Sequence, residues 1–130
     1  MAAERSIVGV WRVNQVVNVG RTLTRQTNPP PGLVIFTRNH YSIVRVTDER
    51  PTRDRQARLS AEEAFALWGP FQANAGEYEA YGTSVTIRPS VAKQPVRMAP
   101  GAFEVLTFKI QDETLWLGQG ETTLKLTRIE

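Results

Sequence analysis

The stretch AFEVLTFKIQDETLWLGQGETTLKLTRI, residues 102–129, decides the fold class of this 130-residue chain. Along its three segments, apolar side chains recur at every second position: Leu106, Phe108 and Ile110, then Leu115 and Leu117, then Leu124 and Leu126. A period of two predicts half-buried β-strands. Asp112-Glu113 and Gly120-Glu121 separate the segments and have the composition of tight turns. The stretch therefore predicts three successive antiparallel strands, at 102–111, 114–118 and 123–129.

Five more strands are predicted upstream, at residues 7–18, 33–37, 41–47, 77–81 and 84–90. Most of them are rich in β-branched and aromatic residues, which favour strands. Asn39 adopts a positive φ at little cost, so we expect a hairpin between the second and third strands. The consecutive prolines of Asn28-Pro29-Pro30-Pro31-Gly32 cannot join a sheet and predict a loop.

One short helix interrupts the strands. Ser60 and Glu63 form an S-x-x-E capping box, which marks a helix N-terminus. Gly69-Pro70 ends the helix because proline cannot continue it. The sequence therefore predicts a helix over residues 60–68, between the third and fourth strands.

The order of these elements indicates an all-β fold. No regular β-α-β alternation is present, so the sheet should be antiparallel. Eight strands in one small domain either close into an up-and-down barrel or stack as a sandwich. One face of the strands is apolar and the other is mixed, which favours a closed barrel. We expect residues 1–130 to form a single domain.

Composition excludes several kinds of site. The chain has no cysteine, so disulfides, thiol catalysis and cysteine-ligated zinc are ruled out. Its one histidine, His40, cannot form a multi-histidine metal site, and we expect no metal and no cofactor. No apolar run is long enough to span a membrane, and residues 1–5 lack the apolar core of a secretory signal. These features predict a cytoplasmic protein.

The charge of the chain is uneven. Its net charge is +3, and residues 1–58 contain ten arginines against four acidic residues. The segment Arg50-Pro51-Thr52-Arg53-Asp54-Arg55 could meet phosphates. Acidic residues are interleaved with its arginines and no aromatic residue accompanies them, so we interpret it as a solvated loop. No nucleic-acid partner is expected.

Residues near the two ends of the chain form a pattern that is similar to one in a known family. Gly9-Val10-Trp11 lies in the first strand and Arg128 in the last, and these strands are neighbours in a closed barrel, so the indole and guanidinium can stack. With the stretches 31–37, 76–80 and 85–87, this pattern resembles the lipocalin superfamily, and in particular the compact bacterial and fungal lipocalin-like domain family. The resemblance implies a barrel with a structural base at Gly9, Trp11 and Arg128.

Alternation also predicts which side chains face the interior. The candidate ligand-binding residues inside the barrel are Gln15, Tyr41, Arg45, Tyr78, Glu104 and Phe108. A few polar groups among apolar walls are typical of a small-molecule site. Phe65 and Trp68 of the helix are expected to cover the mouth as a lid. Arg45 is the inferred interior cation and favours a ligand with an acidic or carbonyl end.

The sequence therefore predicts a cup that binds a small, largely hydrophobic molecule. Two alternatives stay open. Small barrels can host cyclases or isomerases that act on hydrophobic metabolites with one acid or base, although no catalytic motif is present and binding is favoured over catalysis. The barrel can instead be filled by side chains and serve as an interaction module, for example in a homodimer.

Overall fold

The structure is a computed structural model that describes residues 6–20, 22–50 and 58–130. Residues 51–57, which hold most of the arginine-rich segment, lie outside this description, as do residues 1–5. The described strands are β1 Gly9–Val19, β2 Leu23–Gln26, β3 Gly32–Phe36, β4 His40–Val46, β5 Phe71–Tyr81, β6 Ser84–Ala92, β7 Glu104–Gln111, β8 Thr114–Gln119 and β9 Thr122–Arg128. The described helices are α1, Ala61–Trp68, and one 3₁₀ turn, Pro95–Met98.

Eight of the strands close into an antiparallel barrel. Neighbours follow the order β1-β3-β4-β5-β6-β7-β8-β9, and β9 returns to pair with β1. Closure removes the two edges that an open sheet would expose. The predicted all-β, eight-stranded antiparallel barrel with one short helix is therefore confirmed.

The sequence does not predict the short strand β2. It pairs with the end of β1, from Val16 opposite Gln26 to Val19 opposite Leu23. Its residues are largely exposed, so backbone pairing holds this strand in place. For the same reason its sequence shows no hydrophobic alternation from which a strand could be predicted. The predicted position of the helix needs a corresponding correction, because β2 makes α1 follow the fourth strand instead of the third.

Trp11 and Arg128 lie together at one end of the barrel, which we call the closed end. Trp11 is fully buried, and its indole Nε1–H donates to the Ile7 carbonyl oxygen at 2.8 Å. The Arg128 guanidinium lies 4.2 Å from the centroid of the indole ring. Gly9 has a φ of 149°, and a Cβ there would come within 2.6 Å of the Glu130 backbone carbonyl oxygen as well as of Arg128 Nη1, so this position requires glycine. The three residues form a packed plug where the first and last strands meet.

Side chains fill the barrel interior from the closed end upward. Large apolar residues with 0–1% exposure occupy its inward positions: Trp11, Val34, Phe36, Ile43, Val85, Ile87, Leu106, Leu115, Leu117, Leu124 and Leu126. An eight-stranded barrel is just wide enough to be filled in this way. The lower interior is therefore a packed core rather than part of an apolar cup.

Strand β5 begins at Phe71, whereas the sequence predicts a start at Glu77. The additional segment reads FQANAG, and alanine, asparagine and glycine are poor strand formers. Pairing with β4 on one side and β6 on the other outweighs this local preference. As a result, Gln72 and Asn74 occupy inward positions in register with Tyr78.

Helix α1 has the predicted N-terminal cap. Ser60 Oγ accepts a hydrogen bond from the Glu63 backbone N–H at 3.1 Å, and Glu63 Oε1 accepts one from the Ser60 backbone N–H at 3.2 Å. No residue of the helix is buried. Capping and contacts at its ends therefore hold the helix, rather than packing of one face against the barrel.

Candidate ligand-binding site

A chain of hydrogen bonds joins five polar side chains at the open end of the barrel, which we call the mouth. Arg45 Nε donates to Gln72 Oε1 at 3.0 Å, and Gln72 Nε2 donates to Gln119 Oε1 at 3.1 Å. Gln119 Nε2 donates to Glu104 Oε1 at 3.0 Å, and the same oxygen accepts a bond from Arg97 Nη1 at 2.8 Å. These residues come from β4, β5, β8, β7 and the 3₁₀ turn. We call them the polar layer.

The polar layer follows from the alternation of the strands. Arg45 takes the inward position after Ile43, Glu104 takes the one before Leu106, and Gln119 takes the one after Leu117. The apolar core thus ends at the same height on several strands and is replaced there by polar side chains. Because hydrogen bonds join its members to one another, the layer can stand above the apolar core.

Arg45 is the least compensated charge of this layer. It is half-buried, and burial lowers the pKa of its guanidinium. Its hydrogen-bond partner is the neutral amide of Gln72, and among the described residues no carboxylate lies within ion-pair distance of it. A desolvated cation without a counter-ion favours the binding of an anion or a strongly polar oxygen.

Tyr41 and Asn74 form a second polar pair beneath the layer. The Tyr41 hydroxyl donates to Asn74 Oδ1 at 2.6 Å, and both residues are buried. Burial raises the pKa of Tyr41 to about 12, while the charge of Arg97 lowers it and the charge of Glu104 raises it. The charges of Arg97 and Glu104 therefore both act on this hydroxyl, which keeps its proton at neutral pH.

A cavity of about 320 Å³ opens at the mouth, against the polar layer. Gln72, Arg97 and Gln119 of the layer line it, together with Phe71 and Lys93. Its wall is mainly polar, which suits the head of a small molecule and not an apolar chain. We call it the mouth cavity.

A second cavity of about 540 Å³ lies beside helix α1, and its wall is almost entirely apolar. Leu59, Phe65 and Trp68 line it, and it shares Gly69 and Lys93 with the mouth cavity. We call it the helix cavity. The shared residues make the two cavities neighbours, one polar and one apolar.

Lys93 attaches the end of helix α1 to the rim of the barrel. Its Nζ donates to the carbonyl oxygens of Trp68, of Gly69 at 3.1 Å and of Phe71 at 3.0 Å. A cation is favourable at a helix C-terminus, where carbonyl groups lack partners within the helix. All three donors of the ammonium group are engaged, so Lys93 is an anchor of the helix.

Phe65 and Trp68 lie beside the mouth rather than over the polar layer. Phe65 is 77% exposed and Trp68 is 60% exposed. The Trp68 ring stacks on Phe71, with 5.2 Å between ring centroids and 13° between planes. The expected lid is therefore an exposed apolar wall at one side of the entrance.

Gln15 faces away from the interior, which corrects the prediction that it lines the cup. The pairing of β1 with β9 shifts register between Val13 and Gln15, so an additional residue enters the strand at this point. After the bulge, Val16 is the buried residue and Gln15 lies opposite Lys125. A bulge reverses the inward and outward assignment of every later position, and the simple alternation does not anticipate it.

Tyr78 and Phe108, which are also predicted ligand contacts, are placed away from the mouth. The Tyr78 hydroxyl donates to the Thr37 carbonyl oxygen at 2.6 Å, and its ring meets Phe36 edge-on at 4.9 Å between centroids. Phe108 packs against the core. Both residues face inward as predicted, but they stand toward the closed end and belong to the packing there.

The structure adds four polar residues that the sequence does not single out: Gln72, Asn74, Arg97 and Gln119. Gln119 continues the inward series of Leu115 and Leu117, so alternation could have found it. The first two lie in the part of β5 that has little strand propensity. Arg97 lies in a proline-bearing loop, where no periodicity relates a side chain to the barrel.

Within residues 6–20, 22–50 and 58–130, no group of three or more histidine or acidic side chains could hold a metal ion. Across the same ranges, no helix is long and apolar enough to cross a membrane.

Comparison with known proteins identifies the fold. No protein-family model matches the chain, and no curated protein matches it. A lipocalin-like protein from Bacteroides uniformis superposes with a TM-score of 0.57 at 13% identity, covering 95% of this chain and 98% of that one. An uncharacterized protein from Bacteroides eggerthii superposes with a TM-score of 0.54 at 8% identity, covering 95% and 99%. Similarity at such low identity concerns the fold alone. The chain thus has the fold of a lipocalin-like β-barrel.

Proposed function

We propose that this chain binds a small, largely hydrophobic molecule with an acidic or carbonyl end at the mouth of its barrel. The observation that carries the proposal is Arg45, a half-buried guanidinium whose hydrogen-bond partner is a neutral amide. An acidic ligand would supply the counter-charge that no described residue provides there. Charge-assisted hydrogen bonds to guanidinium are about twice as strong as neutral ones, so this contact would favour an acid.

The two neighbouring cavities fit the two ends of such a molecule. The mouth cavity, at about 320 Å³, receives the polar end beside Gln72, while Arg45 lines an adjoining groove that shares Phe71 with this cavity. The helix cavity, at about 540 Å³, receives the apolar part. Both volumes are in the usual range of ligand pockets. Each 100 Å² of apolar surface removed from water contributes about 2.5 kcal/mol, so the helix cavity supplies affinity while the mouth cavity supplies selectivity.

The test of this proposal is a competition assay. N-phenylnaphthylamine, a neutral fluorescent probe, is displaced by decanoate, by methyl decanoate or by decylamine. We expect decanoate to compete best and decylamine worst. Arg45→Met should weaken decanoate by about tenfold or more and change methyl decanoate little, because only the carboxylate loses a charged partner.

Arg38→Met is the matched control for Arg45→Met. Arg38 is exposed in the turn between β3 and β4, near the closed end, and the substitution makes the same change in net charge. It should leave the affinity for each of the three competitors unchanged. Equal weakening of acid and ester by Arg45→Met, or a preference of the wild type for decylamine, would count against the proposal.

A further inference from the structure

A buried amide donor lies directly beneath the polar layer. Asn74 is 4% exposed, and its Nδ2 has no hydrogen-bond acceptor among the residues that the structure describes. Its cross-strand neighbours are Ile43 on β4 and Ala92 on β6, whose side chains contain no acceptor. Buried polar groups almost always have partners, so an open donor inside a protein indicates a group that completes it.

Tyr41 determines which end of this amide is open. Its hydroxyl donates to Asn74 Oδ1 at 2.6 Å. Since burial raises the pKa of Tyr41 to about 12, the hydroxyl stays protonated at neutral pH and remains a donor. The oxygen of the amide is therefore occupied, and the nitrogen is left with two hydrogens to donate.

The mouth cavity lies next to this donor, since Gln72 and Ala73 on the same strand line it. Asn74 stands one inward position deeper than Gln72 on the same strand, and Gln72 lines the mouth cavity. A ligand head that enters between the side chains of the polar layer meets Asn74 next. Buried side chains of the hydrophobic core lie between Asn74 and the closed end.

We infer that Asn74 Nδ2 donates a hydrogen bond to an oxygen at the polar end of the ligand. This inference rests on the proposed function and refines it. An uncharged amide binds the oxygen of a carboxylate, an ester or a ketone alike, whereas Arg45 distinguishes a charged oxygen from a neutral one. Asn74 thus selects for a carbonyl-type oxygen and Arg45 selects for its charge.

Two variants test this role with the same probe, displaced by decanoate or by methyl decanoate. Asn74→Asp keeps the shape and the acceptor for Tyr41 but replaces the donor with a second acceptor. The double variant Tyr41→Phe/Asn74→Leu removes both polar partners together. We expect each variant to bind decanoate and methyl decanoate about tenfold more weakly than the wild type, in contrast to Arg45→Met, which affects the acid alone.

Thermal unfolding shows whether a variant that binds more weakly is also less stable. The double variant should melt at the wild-type temperature or above it, because it removes the open donor without leaving the tyrosine hydroxyl unpaired. In the wild type, the side-chain amide NMR signals of Asn74 should shift downfield when methyl decanoate binds.

The outcomes distinguish the two proposals. Suppose that the wild type binds decanoate and methyl decanoate, and that the Asn74 variants bind them as tightly as the wild type does. The inference is then wrong and the proposed function stands. Unshifted Asn74 signals with methyl decanoate bound would lead to the same conclusion. If neither decanoate nor methyl decanoate displaces the probe from the wild type, the proposed function fails and the inference fails with it.

Discussion

At the scale of single residues, Tyr41 makes the folding stability of the barrel depend on pH. Burial raises the pKa of its hydroxyl from 10.0 to about 12. Between these two values the unfolded chain has lost the tyrosine proton while the folded chain keeps it. The unfolded state binds fewer protons over this range, so stability falls as the pH rises.

We expect this residue alone to lower the free energy of unfolding by no more than about 2 kcal/mol between pH 10 and 12, because the unfolded chain is half titrated at pH 10 and the folded chain at pH 12. The contribution is fully present below pH 10. Urea unfolding across this range measures it, and Tyr41→Phe should remove it. Tyr81→Phe is the control, because Tyr81 is 90% exposed. The same alkaline loss in the wild type and in Tyr41→Phe would contradict the assignment.

At the scale of elements, helix α1 is joined to the barrel near its C-terminal end. Lys93 holds the Trp68 and Gly69 carbonyl groups, and Arg50 Nη1 donates to the Leu67 carbonyl oxygen at 3.3 Å. The apolar face of the helix remains exposed and lines the helix cavity. This face therefore contributes little to folding and is available to a ligand.

Phe65→Ala tests this division of roles. Since Phe65 is 77% exposed, we expect the free energy of unfolding to change by no more than about 0.5 kcal/mol. The affinity for N-phenylnaphthylamine should fall severalfold, because apolar wall is removed from the helix cavity. Tyr81→Ala, which removes an exposed aromatic ring outside this cavity, should change neither quantity. Loss of stability with unchanged probe binding would show that Phe65 belongs to the core.

The elements also differ in how well local sequence predicts them. Strands with strict alternation, such as β7, β8 and β9, are predicted to within two residues of their bounds. Strand β2 and the first half of β5 are missed, since their residues neither alternate nor favour strands. Backbone pairing with neighbouring strands forms these segments, and such pairing depends on residues far away in the chain.

At the scale of the whole molecule, closure of the barrel depends on the junction of β1 and β9. Trp11 and Arg128 lie opposite each other in the register of these strands, and the guanidinium stacks on the buried indole. The junction joins the first and last strands of the barrel. Because it closes the ring of strands, its packing indirectly stabilises the other strand pairs.

Trp11→Ala should therefore cost about 3–5 kcal/mol of unfolding free energy, the usual range for a buried tryptophan. Denaturant unfolding measures the loss. Trp68→Ala is the matched control, because that indole is 60% exposed and should contribute about 1 kcal/mol or less. A cost near zero for Trp11→Ala would mean that the junction is not a principal source of stability.

The sequence by itself determines the antiparallel strands, the capped helix and the inward direction of Tyr41, Arg45 and Glu104, and it favours a barrel with a base at Trp11 and Arg128. Each of these follows from a local period of two or from a short motif. Only the tertiary structure decides that Gln15 turns outward, that Gln72, Gln119 and Arg97 connect the polar layer, and that the Asn74 donor is left open. These features depend on a one-residue bulge and on cross-strand register, and a shift of one residue reverses the face of a side chain without changing the local pattern that predicts the strand.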